Sequence, residues 1–449
     1  MAKYKAYPEY KDSGVEWLGA VPSHWEILSA KRMFQSVRTP AYKSDEQLAA
    51  SQKYGVIPQS LMMQLNDSKV MLALKGTESF RHVEANNFVI SLRSFEGGIE
   101  YSQYTGCVSP AYTVLKNSKP ISYGYYRYLL KCMPFIAALQ SSTDSLRDGK
   151  SINYEQFSAL SLPLSSVQEQ NVIAVFLDHE TAKIDNLIEK QQQLIEILKE
   201  KRQAVISHAV TKGLNPDVPM KDSGVEWLGK VPEHWTVSTI KYISTFIGTG
   251  GTPKNPESFT DDDGMDWFTP GDFNGSLVLQ NAKKKITTQA VSNGDAKSYP
   301  KNSIVVIGIG ATLGKVAFVE HEFSCNQQIN IITPGKTVEY KYLTYSLLNQ
   351  VEQMKQSSNA STIGIMNQEK TKQIWIAFPS KDEQIKIVNT LSQKEIEFDS
   401  LLNKSEYQIL LLQERRTALI SAAVTGKIDV RDWVAPDTQD VEEPQEATA

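Results

Sequence analysis

Two long segments of the chain place an apolar residue at every third or fourth position. They run over residues 168–213 and 382–427, and this spacing is typical of amphipathic helices. A glycine ends each segment, Gly213 in the first and Gly426 in the second, as a helix stop requires. We therefore predict two long helices that pair as an antiparallel coiled coil. Its predicted seam consists of Ile184, Leu187, Ile188, Ile195, Leu198, Val205, Phe398, Leu401, Leu402, Ile409, Leu412 and Leu419.

The regions that precede these helices have a different pattern. Short runs of β-branched and aromatic residues, such as FVISL at 88–92 and SIVVIGIG at 303–310, alternate with glycine and asparagine turns. This pattern predicts two β-rich domains, at 26–165 and 236–380. The predicted fold class is therefore α+β.

The chain also repeats itself. KDSGVEWLGAVPSHW at 11–25 recurs as KDSGVEWLGKVPEHW at 221–235, with 13 of the 15 positions identical. The two helical segments align as well, which gives a pseudo-two-fold internal repeat. The predicted segments are 1–25, a first variable domain at 26–165, a helix at 166–213, a repeat of the first segment at 214–235, a second variable domain at 236–380, a helix at 381–427 and an acidic, disordered tail at 428–449.

Charge distribution is more informative than net charge. The chain carries −4 overall, but five acidic residues and no basic ones lie after Val434, and without them the charge becomes +1. Residues 26–150 hold 15 basic and 10 acidic side chains, so the first domain is mildly basic. No apolar run is long enough to span a membrane and the start of the chain lacks a secretion signal, so we expect a cytoplasmic protein without membrane contact.

Motifs for catalysis and metal binding are missing from the sequence. It contains no GxxxxGK[ST] phosphate loop, no GxSxG nucleophile elbow and no HExxH zinc motif. The three cysteines, Cys107, Cys132 and Cys325, have no CxxC spacing, which excludes a thiolate metal site of that type. We therefore expect no catalytic residue, no metal site and no cofactor bound by this chain.

Polar and basic loops are the remaining candidates for function. Arginine, lysine, glutamine and asparagine side chains suit DNA phosphates and base edges. In the first domain the predicted DNA-binding residues are Lys75, Arg81, Arg93, Ser94, Tyr101 and Gln103. In the second domain they are Thr249, Thr252, Lys254, Lys283, Lys284, Asn326, Gln327, Gln328 and Thr362.

With these features the chain resembles the specificity subunit of type I restriction–modification systems. The resemblance covers the GVEWLG and VPxHW segments, both variable domains and the helices that end in AVISHAVTKG and ALISAAVTGK. It implies that each domain recognises one half of an asymmetric, bipartite site in double-stranded DNA. It further implies two methyltransferase subunits, which bind S-adenosylmethionine and methylate adenine at N6, and two restriction subunits, which use ATP and Mg²⁺. Under the resemblance we expect the tryptophans of the duplicated segments, Trp17, Trp25, Trp227 and Trp235, to dock the methyltransferases.

Helix length predicts the spacing of that site. About 33 helical residues span roughly 50 Å, which would place the two domains about one DNA turn apart. We therefore expect two recognised blocks of about 3–5 base pairs, separated by about 5–8 unspecified ones.

Two other classes of function remain open from the residues alone. The chain could itself be a nuclease or methyltransferase fused to DNA-binding domains, although it lacks an NPPY-like motif and a glycine-rich cofactor motif. It could also be a coiled-coil scaffold that presents two ligand domains without binding DNA. The duplicated segments favour the specificity subunit over both.

Overall fold

Two units make up the chain in the computed structural model. The first consists of Met1–Gln192 and Tyr407–Ala449, and the second of Gln193–Glu406. The structure describes residues 4–66, 79–142, 152–358 and 364–435. Lys75, Thr362 and the acidic residues of the predicted tail beyond position 435 lie outside the described residues.

The first unit is built from short strands and helices that precede a long helix. Its described strands are β1 Tyr10–Asp12, β2 Ala20–Pro22, β3 Glu26–Ser29, β4 Phe34–Val37, β5 Leu48–Ser51, β6 Gly55–Pro58, β7 Arg81–Val83, β8 Phe88–Ile90, β9 Glu100–Tyr101, β10 Gly106–Val108, β11 Thr113–Asn117 and β12 Ser161–Leu164. Its short helices are α1 Ala30–Met33, α2 Gln59–Asn66, α3 Ser94–Gly97, α4 Tyr123–Leu129, α5 Met133–Ser141 and α6 Tyr154–Ala159.

Two helices are much longer than all the other described ones. They are α7, which runs over Val167–Lys212, and, at the end of the fold, α13, which runs over Lys381–Val424. Each ends next to a glycine in the left-handed backbone region, with φ of 76° at Gly213 and 72° at Gly426. A side chain is disfavoured in that conformation, so these two glycines terminate the helices as the sequence predicted.

The second unit continues the numbering. Its described strands are β13 Met220–Asp222, β14 Lys230–Pro232, β15 Thr236–Thr239, β16 Ser244–Thr249, β17 Phe259–Thr260, β18 Met265–Phe268, β19 Lys285–Ile286, β20 Ser303–Ile307, β21 Val316–Val319, β22 Ser324–Cys325, β23 Ile329–Pro334 and β24 Trp375–Phe378. Its helices before α13 are α8 Ile240–Ile243, α9 Thr288–Ser292, α10 Tyr340–Leu348, α11 Val351–Ser358 and α12 Gln368–Lys372, with 3₁₀ turns at Pro256–Ser258 and Pro270–Asp272.

The same strand framework occurs in both units. Each contains a hairpin, β1–β2 or β13–β14, and an antiparallel pair that joins the beginning of the variable domain to its end, β3–β12 or β15–β24. Each also contains a four-stranded antiparallel sheet, with the order β4-β11-β8-β9 in the first unit and β16-β23-β20-β21 in the second. The predicted α+β fold class is therefore confirmed, and the duplication extends into domains whose sequences differ.

The variable domains differ in what they add to this framework. The first unit adds the two-stranded pairs β5–β6 and β7–β10, whereas the second adds a mixed sheet in the order β17-β19-β18-β22. In the mixed sheet β18 and β22 run parallel and the other pairs are antiparallel. The two units thus share a strand framework and differ in the segments that are added to it.

Antiparallel helix segments pack within each unit, and their buried positions recur about every 3.5 residues. Among the predicted seam residues, four are buried, namely Ile184, Ile195, Leu198 and Leu419, and five are half-buried, namely Ile188, Phe398, Leu402, Ile409 and Leu412. Three predicted seam residues are exposed instead: Leu187 by 48%, Val205 by 36% and Leu401 by 46%. Each of the three directly precedes a buried or half-buried neighbour, and one residue along a helix turns the side chain about 100° away from the seam.

Each unit has its own hydrophobic core. In the first, Trp25, Tyr125 and Phe176 belong to a cluster that also includes Ala423 and Val424 from the end of α13. In the second, Trp235 and Tyr342 pack with Val210 from the end of α7. Among the described helices, none combines the length and the apolar character that crossing a membrane requires.

Candidate nucleic-acid interface

Each duplicated segment ends on a tryptophan that bonds to a glutamate in the first turn of a long helix. In the first unit, Trp25 Nε1 donates to Glu169 Oε1 at 3.0 Å. In the second, Trp235 Nε1 donates to Glu383 Oε1 at 3.1 Å. In both units the preceding histidine has its Nε2 2.9 Å from the second carboxylate oxygen. This contact fixes the segment before each variable domain to the helix that follows the domain.

The prediction that all four tryptophans dock a partner is wrong for two of them. Trp25 is 0% exposed and Trp235 is 1% exposed, because each indole N–H finds its acceptor within the chain. Trp17 is half-buried and its ring packs edge-on against Phe135, with ring centroids 5.8 Å apart. Trp227 is 45% exposed and is the tryptophan of the duplicated segments most accessible to a partner.

A buried glutamine next to each of these glutamates holds the variable domain in place. Gln170 Oε1 accepts a hydrogen bond from Ser122 N at 2.8 Å, at the start of α4. Gln384 Oε1 accepts one from Glu339 N at 2.8 Å, at the start of α10. Both glutamines are 0% exposed, and a buried amide that lost such a partner would be costly. The QEQ and DEQ sequences thus position the domains on the helices.

Two loops of the second unit meet at one end of its four-stranded sheet. Gly250 N donates to Ile329 O at 3.0 Å, and Gly251 N donates to Cys325 O at 2.8 Å. A Cβ atom on Gly250 would collide with the carbonyl oxygens of Cys325 and Asn326, so this close approach requires glycine. The sequences GTGGTPK and SCNQQIN therefore form one continuous surface.

Three of the predicted DNA-binding residues lie together on this surface. The Thr252 hydroxyl donates to Gln327 Oε1, and Gln328 N donates to Asn326 Oδ1 at 3.0 Å. Thr252, Gln327 and Gln328 are exposed, whereas Asn326 is buried and shapes the turn. An exposed amide next to a hydroxyl offers both a donor and an acceptor, as a base edge requires.

Thr249 has a structural role rather than the predicted exposed one. Its hydroxyl donates to Asn330 Oδ1 at 3.0 Å and accepts from Gln368 Nε2 at 3.1 Å. Asn330 is only 2% exposed, and its Nδ2 donates to Met366 O. These hydrogen bonds stabilise the loops. In the sequence, the single asparagine within the apolar run INIIT, Asn330, indicated a buried polar contact of this kind.

The three predicted lysines of the second unit, Lys254, Lys283 and Lys284, lie around the same loops. Lys284 Nζ lies 5.6 Å from the centre of the Phe259 ring and 6.0 Å from that of Trp267. Trp267 Nε1 in turn donates to Gly251 O at 3.0 Å, so Lys284 adjoins the loop surface. Lys254 and Lys283 are exposed, with backbone N–H groups bound to Asp295 and Asp272.

In the first unit, Tyr101 and Gln103 border a groove with a volume of 560 Å³. Gln103 is exposed, while Tyr101 is half-buried and its hydroxyl donates to Asn86 Oδ1. Lys53 and Tyr54 also line this groove and were missed by the sequence analysis. A lysine beside a tyrosine in a turn, here with Nζ 4.8 Å from the ring centre, was the available signal.

Three other predicted residues of the first unit take different positions. Ser94 is 0% exposed at the start of α3 and its Oγ accepts from Ser91 N at 2.8 Å, so the prediction of DNA contact is wrong. Arg93 has a side chain that is 78% exposed, with Nε 3.9 Å from Glu96. Arg81 lies half-buried on β7.

A buried ion pair sits at the wall of the groove. Lys131 Nζ lies 2.6 Å from Glu100 Oε2, and the Glu100 side chain is 2% exposed. Burial raises the pKa of the Glu100 carboxyl, and Lys131 opposes that rise. Within the described ranges, no three His, Cys, Asp or Glu side chains are grouped as ligands of a metal ion.

Known proteins resemble this chain in sequence and in fold. A model of the type I restriction modification DNA specificity domain matches residues 232–411. The MjaIX type I restriction enzyme specificity subunit of Methanocaldococcus jannaschii is 30% identical over 193 residues, which cover 42% of this chain and 43% of that protein. The EcoBI specificity subunit of Escherichia coli is 24% identical over 324 residues, which cover 69% of this chain and 67% of that protein. The chain is thus similar to type I specificity subunits, and its residues 232–411 match their DNA specificity domain.

The fold resembles that of a solved chain over most of its length. A solved structure concerned with complex assembly and conformational transition of the type I R-M system contains a chain with a TM-score of 0.71 at 13% identity. That likeness covers 91% of this chain and 99% of the other. The family match at 232–411 contains both loops of the second unit, and the alignment with MjaIX spans less than half of that relative.

Proposed function

We propose that this chain is the DNA-recognition subunit of a type I restriction–modification complex. Each unit recognises one half of a bipartite, asymmetric site in double-stranded DNA. The observation that carries the proposal is the contrast between frame and loops. The contacts of Glu169 and Gln170 recur at Glu383 and Gln384, while the polar loops on the two frames share no pattern of side chains. A repeated frame with different loops suits two different half-sites.

The exposed residues at the loops have the chemistry for this task. In the second unit, Thr252, Gln327 and Gln328 offer amide and hydroxyl groups for base edges. In the first unit, Gln103 and Lys53 border the groove. Lys254, Lys283 and Lys284 supply positive charge for phosphates around the second surface.

Partners supply the chemistry in this proposal. The chain holds two methyltransferase subunits, which bind S-adenosylmethionine and methylate adenine at N6, and two restriction subunits, which use ATP and Mg²⁺. The exposed Trp227 is a docking residue for a methyltransferase subunit. The chain itself binds none of these cofactors and catalyses no step. Purified alone, it should neither transfer methyl groups to DNA nor hydrolyse ATP, and either activity would contradict this part of the proposal.

A domain exchange in the host tests the central claim. Single-molecule sequencing of the host genome, with this gene intact and with it deleted, should show the loss of one bipartite N6-methyladenine motif on deletion. Replacing residues 236–380 with the matching segment of another family member should then change one half of the motif and preserve the other.

The reciprocal exchange of residues 26–165 is the matched control. It should change the other half only. If either exchange alters both halves, or if deletion leaves every methylation motif in place, the chain does not recognise DNA as two independent half-sites.

A further inference from the structure

Two arginines of the first unit lie near each other where the segment after β4 runs antiparallel to the start of β7. Pro40 pairs with Arg81 in an antiparallel bridge, with Ala41 N donating to Phe80 O at 2.9 Å and His82 N to Thr39 O at 2.8 Å. In this register Arg38 is two residues from the partner of Arg81. Side chains on such diagonal positions share a face and lie about 7–8 Å apart at their Cα atoms, which is within reach of two arginines.

Neither guanidinium has an acidic partner among the described residues. Within the described ranges, no ion pair within 4 Å involves Arg38 or Arg81, although Arg81 is half-buried. Burial and, after it, the nearby positive charge of Arg38 lower the pKa of Arg81. Two cations kept together without a counter-charge repel each other, and an anion between them would remove that cost.

Asp45, an acid of the adjoining loop, is engaged by Tyr42 and His82. Asp45 Oδ2 accepts from Tyr42 N at 2.8 Å and lies 2.9 Å from His82 Nδ1, in a pair whose side chains are 5% and 11% exposed. Tyr42 packs its ring against His82, with centroids 4.5 Å apart, and is itself 58% exposed. The Asp45 carboxylate is therefore held by these two contacts.

We propose that Arg38 and Arg81 bind one phosphate of the DNA backbone together. The inference rests on the proposed function and deepens it by naming a phosphate contact of the first unit. Two guanidinium groups give a phosphate several charge-assisted hydrogen bonds, which orient the domain on the duplex without reading its sequence. Arg93, the other arginine predicted to bind DNA, has Glu96 as a neighbour and so differs from this pair.

Salt titrations of DNA binding test the pair. The full chain, in complex with its methyltransferase subunits, is titrated against a duplex that carries the motif found in the host, at several KCl concentrations. Arg38→Gln and Arg81→Gln should each weaken binding about ten-fold and make the plot of log K against log salt shallower by up to about 0.9, the value for one phosphate contact. Preference for the motif over a scrambled duplex should stay as in the wild type.

Three further variants make the result decisive. Arg32→Gln removes an exposed charge from α1 of the same unit and should leave affinity and slope unchanged. Arg81→Lys keeps the charge and should retain most of the slope, and thermal melting reports whether each variant is folded. The double variant Arg38→Gln/Arg81→Gln should lose less than the two single losses combined, because both arginines hold one phosphate.

If Arg38→Gln and Arg81→Gln show the same DNA affinity and the same salt slope as Arg32→Gln, the two arginines do not bind a phosphate together. Failure of the proposed function looks different, because the wild-type complex itself would then show no preference for the motif duplex.

Discussion

Arg202 of one long helix donates from Nη1 to Oδ1 of Asp399 on the other at 2.8 Å. The first unit contains the same bond between Arg416 and Asp185, from Nε to Oδ1, also at 2.8 Å. Arg416 lies 214 positions after Arg202, and Asp399 lies 214 positions after Asp185, so the repeat provides both bonds. In each bond the arginine belongs to one long helix and the aspartate to the other. The polar residues that interrupt the apolar seam thus also help to hold the two helices together.

Removing the Arg202–Asp399 pair should cost little stability. The Asp399 side chain is 57% exposed, so solvent screens the interaction, and we expect a coupling energy of about 0.5–1 kcal/mol in the double-mutant cycle of Arg202→Gln and Asp399→Asn. Urea unfolding of the full chain measures it. Glu196→Gln, at an exposed pair with Lys199 within one helix, is the control and should have a smaller effect. A coupling that persists unchanged in 1 M KCl would contradict this electrostatic account.

The three cysteines should be unreactive in the folded chain. Burial raises the pKa of Cys132 to about 12 and also raises the pKa values of Cys107 and Cys325. At pH 8 the thiols are therefore protonated as well as inaccessible, and iodoacetamide should modify them on the order of 100-fold more slowly than in urea. Mass spectrometry of peptides from each unit checks this. Rapid labelling of Cys132 under native conditions would contradict the buried position.

Stability should fall at alkaline pH for the same reason. The ordinary pKa of the Cys132 thiol is 9.0, and in the folded state it is about 12. Between these values the unfolded chain loses the proton and the folded chain keeps it, so the free energy of unfolding decreases as pH rises. Cys132→Ala should weaken this dependence between pH 9 and 11 in urea unfolding. A variant with the same alkaline decline as the wild type would assign the decline to other groups, such as the buried tyrosines.

The two tryptophan–glutamate contacts should differ in strength. The Glu169 side chain is 6% exposed and also accepts from Tyr7 Oη at 2.7 Å, whereas the Glu383 side chain is 32% exposed. We expect Glu169→Gln to destabilise the first unit by about 1–3 kcal/mol and Glu383→Gln to destabilise the second by less, because a buried mismatch of donors and acceptors is costlier. Labelling of Cys132 and Cys325 in increasing urea reports the two units separately. Equal losses would show that burial does not set the strength.

Adding a single methyl group at Gly250 should weaken binding of the second half-site and leave binding of the first unchanged. Gly250→Ala places a Cβ against the carbonyl oxygens of Cys325 and Asn326, so the loops with Thr252 and Gln327 must move apart. We expect a loss of about 10-fold or more in affinity for duplexes with the second half-site, and no change in the contribution of the first. Gly251→Ala is the matched control, because nothing lies within 4 Å of its added Cβ. Equal behaviour of the two variants would show that the loop contact does not shape the interface.

The sequence by itself determined the repeat, the two long helices with their glycine stops and the α+β class. These features depend on local periodicity and on identity between segments, which a single chain displays directly. The apolar pattern also placed Ile184, Ile195, Leu198 and Leu419 in the seam. It could not tell them from Leu187, because helical spacing leaves neighbouring apolar residues equivalent until a partner helix selects one face.

Only the tertiary structure decided which of the predicted polar residues are exposed. Ser94 and Thr249 resemble exposed loop residues in the sequence, yet each is held by bonds to its own unit. Trp25 and Trp235 are internal for the same reason, since a glutamate more than 140 residues away accepts from each indole. Such partners are close in space and distant in sequence. The proximity of Arg38 to Arg81 likewise follows from the register of the Pro40–Arg81 bridge, which long-range backbone hydrogen bonds set.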